Sequence, residues 1–492
     1  MPTIELAYPA AFKEGKPRIH APAVYGASPR KPFLFTIPTT GERPLHFQVS
    51  PILPDGLVLD ADRGLITGTA REPGQYDLVI TATNSLGSDI RPIRLDIAAD
   101  HACRTPLLGW TSWNAFGWYV TQDLVLQAAE LLVSTGLSSY GYQYVNVDSS
   151  WQGAYGGEYD AIQPNAKFPD MAAMYAAIHA LGLKGGIYST PMSQAWGRPE
   201  GYPELPGCTR GEPDPRYPTA AFPIGLERCE ANNVRQWCQW GVDYLKYDWR
   251  PTDKENADLM KQELLKADRD IAFCVTVRAD PAQIDYWQQN CCSYRHNTDS
   301  VDRWSTVRQI CFEADEWSRH CVQGHYFDLD MLETGRIIDF VTRGYKNCQL
   351  TEDEQLLAFS IRALFPSPIQ LSCDLSKITT FELALYCNEE ILAINQDALG
   401  RGAVCAVETR TRQDDFSLAE HTKIYRRPLA DGSTAVGFFN IGETTAVMKL
   451  PLPQTVTARD LWAKRELGQF EQELVLELKP HTVRMLKLSE RS

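Results

Sequence analysis

Between residues 31 and 97, apolar side chains come in short alternating runs, FLFTI, HFQV, LVLD and YDLVITAT, divided by turns rich in Pro and Gly. A period of two broken by frequent turns predicts an all-β sandwich. The texture changes at Pro106. Short apolar strands then alternate with amphipathic stretches such as DLVLQAAELLVSTG, MAAMYAAIHALG, NADLMKQELLKAD and EDEQLLAFSIRALF, which predicts βαβ units around a parallel sheet. The strand candidates are, in order, LLGWTSW, YQYVNVDSS, KGGIYST, VDYLKYD, IAFCVTV, SYRHNTD, HYFDLDML and PIQLSCDL. That number of strand–helix units closes a (β/α)8 barrel of the TIM type. Past Gly402 the helical period disappears, and KIYRRPL, TAVGFFNIG, AVMKLPL, ARDLW and TVRMLKL predict a C-terminal antiparallel β domain. The expected units are residues 1–100, an Ig-like β domain with a leader segment, 101–400, the barrel, and 401–492, a β-sandwich. Both flanking units read as packing modules without chemistry of their own, since a fold alone carries no function.

Composition narrows the partners. The chain has 492 residues, 44% hydrophobic and 22% charged, with a net charge of −14. An acidic balance argues against a nucleic-acid partner, which needs a basic face to release counterions, and a neutral substrate fits better. No apolar run approaches the ~18 residues of a membrane helix. The opening, MPTIELAYPAAFKEGKPRIH, lacks the basic-then-apolar order of a signal peptide, which favours the cytoplasm over a secreted or periplasmic form with its signal removed. A homo-oligomer is compatible with everything here. The 13 cysteines include no CxxC pair, so they read as small buried hydrophobes rather than as a zinc site or a disulfide framework. No Gly-rich nucleotide loop precedes a helix; neither a cofactor nor a metal is expected.

In such a barrel the reactive groups sit at the C-terminal strand ends. The polar residues there are Trp113, Asp148, Tyr188, Lys246, Asp248, Arg295, Asp299, Asp328, Asp330 and Asp374. Carboxylates with aromatic walls and no obvious metal ligands suit glycoside hydrolysis, where one carboxylate attacks or activates water and another protonates the leaving oxygen. Lys246 and Asp248 are two apart on a strand and so share the inward face. The Lys would lower the carboxyl pKa and keep Asp248 ionised as a nucleophile; a buried structural ion pair explains the same spacing equally well. Asp299 follows Arg295 by four and is a candidate proton donor, whereas Asp302 reads as the N-cap of a helix starting at Arg303.

At these residues the sequence resembles glycoside hydrolase family 27, the α-galactosidases and α-N-acetylgalactosaminidases. LLGWTSWNAFG, LVSTGLSSYGYQYVNVDSSW, LGLKGGIYS, WGVDYLKYD, RHNTDSVDRW, GHYFDLDMLETG, LTEDEQLLAFS, SPIQLSCDL and AINQDALG carry the likeness. The resemblance implies Asp248 as nucleophile and Asp299 as acid/base of a retaining mechanism. It also implies sugar-binding roles for Trp113, Asp148, Ser149, Tyr188, Lys246 and Arg295, with Asp330 supporting the pocket. Three positions depart from the family pattern. Ser149 replaces a second Asp, which removes an acceptor aimed at the sugar; Arg250 replaces a Cys two residues past the nucleophile, so the expected pocket-edge disulfide is absent; and the strand-five loop reads CVTVRADP, where Arg278 or Asp280 could meet substrate.

The expected reaction is therefore hydrolysis of terminal α-D-galactosides through a covalent glycosyl-enzyme. The carboxyl groups should stand roughly 5–5.5 Å apart, and Asp299 should be the one raised by burial or negative neighbours, because it must begin protonated. Related reactions on α-N-acetylgalactosaminides or β-L-arabinopyranosides, or with release of isomaltose, are the alternatives; a catalytically inactive sugar-binding protein is another.

Overall fold

The structure, a computed structural model, describes residues 2–197, 205–276, 280–295, 297–313, 315–412 and 418–490. At its centre eight parallel strands follow one another: β1 (Leu108–Thr111), β2 (Tyr144–Asn146), β3 (Lys184–Ser189), β4 (Tyr244–Asp248), β5 (Ala272–Thr276), β6 (Ser293–Arg295), β7 (Tyr326–Asp328) and β8 (Ile369–Leu371). Neighbours pair in parallel from β7 back to β1 and on to β8. A bridge between Leu332, just past β7, and Leu371 of β8 brings the two edges together. All eight predicted strands are in place.

The helices that wrap the barrel start where local chemistry favours a start. Thr121 accepts a hydrogen bond from the Leu124 N–H at the head of Gln122–Ser134, Asp170 does the same for Met171–Ala180, and Asp253 for Lys254–Lys266. Each such cap satisfies an N–H that the helix itself leaves without a partner. Thr351 and Glu354 form a reciprocal capping box at Glu352–Leu364. That helix is buried from Glu354 to Leu364, because the C-terminal sheet packs on its outer side. Between barrel and helices lies one continuous apolar core that includes Trp110, Trp151, Trp237, Trp249 and Trp287.

The N-terminal segment is a sandwich. One sheet runs Val24–Ala27, Gly87–Ile97, Gly74–Asn84, His46–Ser50 and the other Phe33–Thr36, Leu65–Gly68, Leu57–Asp60, closed over Phe35, Phe47, Ile80 and Leu95. It seats on the floor of the barrel: Gln143 Nε2 donates to the Thr36 carbonyl at 2.6 Å, the Thr36 hydroxyl to the Gly182 carbonyl at 2.6 Å, and the Ser28 N–H to Asp270 at 2.6 Å. Gln143, Gly182 and Asp270 each lie one or two residues before a barrel strand, so this is the end opposite the strand C-termini.

The C-terminal segment is a six-stranded antiparallel sheet backed by a two-stranded antiparallel sheet, Ala446–Pro451 with Glu473–Leu478. It is fixed to the barrel by buried polar contacts. The Trp462 indole donates to the Ser360 hydroxyl at 3.0 Å, and the buried Arg427 donates to the carbonyls of Ala363 and Ile394. All 13 cysteines are unpaired and ten are buried, in keeping with their reading as apolar filler. No helix among the described residues is long and apolar enough to cross a membrane.

Candidate active site

From Leu245 in β4 to Arg250 just beyond it, burial alternates. Tyr247 and Trp249 are fully buried against the helices, while Lys246, Asp248 and Arg250 are partly open to the barrel mouth. This is the alternation a strand imposes, and it turns Lys246 and Asp248 the way the spacing predicts.

Lys246 does not pair with Asp248. Its Nζ lies 2.6 Å from Asp148 Oδ2 and 5.7 Å from the centre of the Tyr188 ring, Tyr188 being its register partner on β3. Asp148 is buried, and its other oxygen accepts the Ser149 N–H at 2.8 Å. The partner of Asp248 is Tyr188, whose hydroxyl donates to Oδ2 at 3.1 Å. Burial pushes the Asp248 carboxyl up; Lys246 and Arg295 pull it down without cancelling that effect, and Asp299 adds to the rise. The expectation that Lys246 would leave this carboxyl below its ordinary value is therefore corrected: desolvation of a charged group at the bottom of the mouth outweighs a cation committed to another acid.

Across the mouth, Arg295 of β6 is buried and holds two acids. Its Nη1 is 2.6 Å from Asp330 Oδ2 and its Nη2 is 2.7 Å from Asp299 Oδ1. Burial opposes the charge on Arg295, but Asp330, Asp299 and Asp248 outweigh it and keep the guanidinium firmly protonated. Asp330 has a left-handed backbone, φ 64°, a conformation uncommon outside Gly, Asn and Asp. It also accepts the Ser300 N–H at 2.7 Å. Burial pushes its carboxyl up, and Arg295 and Lys246 more than reverse this, holding it below the ordinary range. Asp299 is the exposed member: its side chain is 64% accessible, and among the described residues it has, besides Arg295, the looser contacts of Arg250 Nη2, at 3.4 and 3.5 Å from its two oxygens. Burial thus falls on Asp248 and not on Asp299, the reverse of the expected assignment.

The mouth has aromatic sides. The partly open Trp113 ring stands 5.5 Å from Phe340, and a Cβ on Gly197 would come within 3.3 Å of the indole, so the loop after β3 closes over its edge. In that loop the Trp196 carbonyl accepts the Ser149 hydroxyl. Ser149 therefore offers a ligand its lone pairs only.

The remaining strand-end residues have other tasks. Asp328 takes the Asp330 N–H at 2.8 Å and so steadies its neighbour's turn. Asp374 caps the short turn Leu375–Lys377, and Asp280 accepts the Ala282 N–H at 2.9 Å within its own turn. Arg278 lies outside the described residues. Asp302 is not a helix cap: the helix is Trp304–Phe312 with Arg303 at its N-cap position, and Asp302 instead binds Lys346 Nζ at 2.8 Å and the Gln349 N–H at 3.0 Å. A cation and an N–H from the segment before the helix Glu352–Leu364 outbid the local turn.

Three residues were not legible as part of the site. Arg250 stood out only as a missing Cys, Trp196 sits in a long loop with no strand-end signal, and Glu333 is a buried carboxyl pushed far up by burial and by Asp330 and Asp302 that accepts from the Asn114 side-chain amide. A cavity of about 550 Å³ lined by His20, Arg91, Tyr144 and Glu389 lies at the opposite, floor end and contains none of the strand-end acids. No cluster of His, Cys, Asp and Glu able to hold a metal occurs among the described residues.

Comparison with known proteins finds the same three segments and a similar fold. The family model described as Alpha galactosidase A matches residues 105–205 and 216–397, that of the Alpha galactosidase C-terminal beta sandwich domain matches 419–488, and that of the Putative Ig domain matches 16–97. An alpha-galactosidase of Cyamopsis tetragonoloba is 30% identical over 416 residues, 81% of this chain and 90% of that one. A crystal structure of a candidate alpha-galactosidase from Bacteroides fragilis NCTC 9343 superposes with a TM-score of 0.83 at 28% identity, covering 99% of this chain and 100% of that one. Alpha-galactosidase I of Mortierella vinacea gives 0.66 at 25% identity, over 80% and 99% of the two chains.

Proposed function

The chain belongs to the alpha-galactosidase A family of glycoside hydrolases, and from that premise we propose that it hydrolyses terminal α-D-galactosides with retention of configuration, Asp248 acting as nucleophile and Asp299 as acid/base. One observation carries the reading. Arg295 is bonded to Asp299 while its charge acts on Asp248, and the two carboxylates act on each other, which supports their flanking one glycosidic bond.

In the first half-reaction an Asp248 oxygen bonds to the anomeric carbon as the bond to the leaving group breaks. The electron pair of that bond goes to the leaving oxygen, which takes the Asp299 proton. In the second, Asp299 removes a proton from water, the water oxygen bonds to the anomeric carbon, and Asp248 is released. Two inversions give retention. Tyr188 holds the attacking carboxylate in orientation through its hydroxyl, and Asp148 with Lys246 forms a polar pair that can meet sugar hydroxyls. The galactoside assignment draws on the names of the relatives and on this pair.

A panel of nitrophenyl glycosides with proton NMR of the first-formed sugar tests both levels. The α-galactoside should be cleaved and the α-anomer should appear first. Release of the β-anomer first would end the double displacement; cleavage of an α-N-acetylgalactosaminide or a β-L-arabinopyranoside alone would end the galactoside assignment only.

The acidic limb of kcat/KM offers a further check. Asp248 must be ionised to attack, and its carboxyl is pushed up by burial, so activity should fall with decreasing pH at a value above the ~3.9 of an ordinary Asp. A pH–rate profile with its acidic limb at or below that value contradicts the assignment.

A further inference from the structure

We infer that Arg250, resting on Trp196, is the binding group of a leaving-group subsite that takes an anionic substituent, a carboxylate or a sulfate, carried by the aglycone. The inference rests on Asp299 being the proton donor.

The position follows from the strand. Arg250 is two residues beyond Asp248 and faces the same mouth, with fully buried Trp249 between them. Its guanidinium carbon is 5.6 Å from the centre of the Trp196 ring, and that ring packs on Phe222 at 4.9 Å. An indole face under a guanidinium steadies the cation without using its N–H donors. The side chain is 36% accessible, and its Nε is buried with no hydrogen-bond partner. The contacts with Asp299, 3.4 and 3.5 Å, are longer than an N–H···O bond normally is. Arg250 is thus a cation with donors to spare.

Charge balance identifies the ligand. Lys246 keeps Asp148 as its partner and Arg295 keeps Asp330, both at 2.6 Å. Arg250 has Asp299 as its one counter-ion among the described residues. Asp299 must carry a proton when the glycosidic bond breaks, whereas a guanidinium stays charged throughout. At that moment no acid among the described residues faces Arg250, and the ligand can supply one. A planar fork of donors suits a carboxylate or a sulfate. Because Arg250 touches Asp299 and neither Asp148 nor Lys246, a group bound to it lies next to the oxygen that Asp299 protonates, on the leaving-group side.

The test compares two aryl glycosides of the cleaved sugar, one with a 3-(carboxymethyl)phenyl and one with a 3-(carbamoylmethyl)phenyl leaving group, matched in size and in phenol acidity. In the wild-type protein kcat/KM should favour the carboxylate by about tenfold at low ionic strength, with added salt eroding the preference. In Arg250→Gln the ratio should fall to near one, and in Arg250→Lys it should lie between. Each ratio is taken on a single preparation, so a loss of folded protein cancels. A wild-type ratio near one, or a preference that survives Arg250→Gln, overturns the inference. If the neutral amide is cleaved as fast by an Asp299→Ala protein as by wild type, it is the assignment of Asp299 that falls.

Discussion

Asp248→Asn is expected to lower kcat by a factor on the order of 10⁴–10⁶ and, in the same protein, to raise the melting temperature. Loss of turnover follows because an amide cannot form the glycosyl ester. The gain in stability follows from the sign of the carboxyl's displacement. A carboxyl that holds its proton more tightly folded than unfolded favours the native state fully below its unfolded pKa, and that contribution is lost as pH rises through the folded value. At neutral pH the buried, ionised Asp248 is therefore a liability that a neutral isostere removes, with the Tyr188 hydroxyl still able to donate to the remaining oxygen. Melting curves should show the advantage of Asn shrinking as pH is lowered towards the ordinary Asp range. Azide added to Asp248→Gly should restore turnover and yield the β-glycosyl azide. Wild-type turnover by the Asn protein would remove Asp248 from the chemistry.

Asp299→Ala should depend on the leaving group instead. For a poor leaving group kcat/KM should fall by about 10²–10⁴-fold, the usual worth of a positioned acid; for a dinitrophenyl glycoside, which needs little protonation, the fall should be much smaller. Azide should be captured with retained configuration, entering on the side the carboxylate has vacated. Equal losses across leaving groups of very different acidity would show that Asp299 supports structure rather than proton transfer. The exposed position of Asp299 fits a group that must meet both a leaving group and an incoming water.

The fold was legible because strand and helix periods differ and each is enforced by burial. The run LKYD alternates in the structure as it does in the sequence, and the eight strands pair in chain order because parallel neighbours joined by helices have little other choice. The inward direction of Lys246 and Asp248 follows from the same alternation. What the sequence did not yield is which ion meets which. Lys246 could reach Asp248 or Asp148, and register with β3 together with the buried position of Asp148 settles it for the latter. Asp302 had the spacing of a cap, but its partners, Lys346 and Gln349, come from more than forty residues away. The displacement of the Asp248 carboxyl depends on how much of the mouth is dry, a property of the assembled barrel that no local pattern encodes.

The sandwich on the barrel floor gives the molecule a polarity. Its contacts at Gln143, Gly182 and Asp270 set it at the pole away from the strand C-termini, with the whole length of the strands between. It cannot lengthen the cleft or hand a chain into it. Any surface or macromolecule gripped by that pole would leave the opposite opening pointing outward, open to solution.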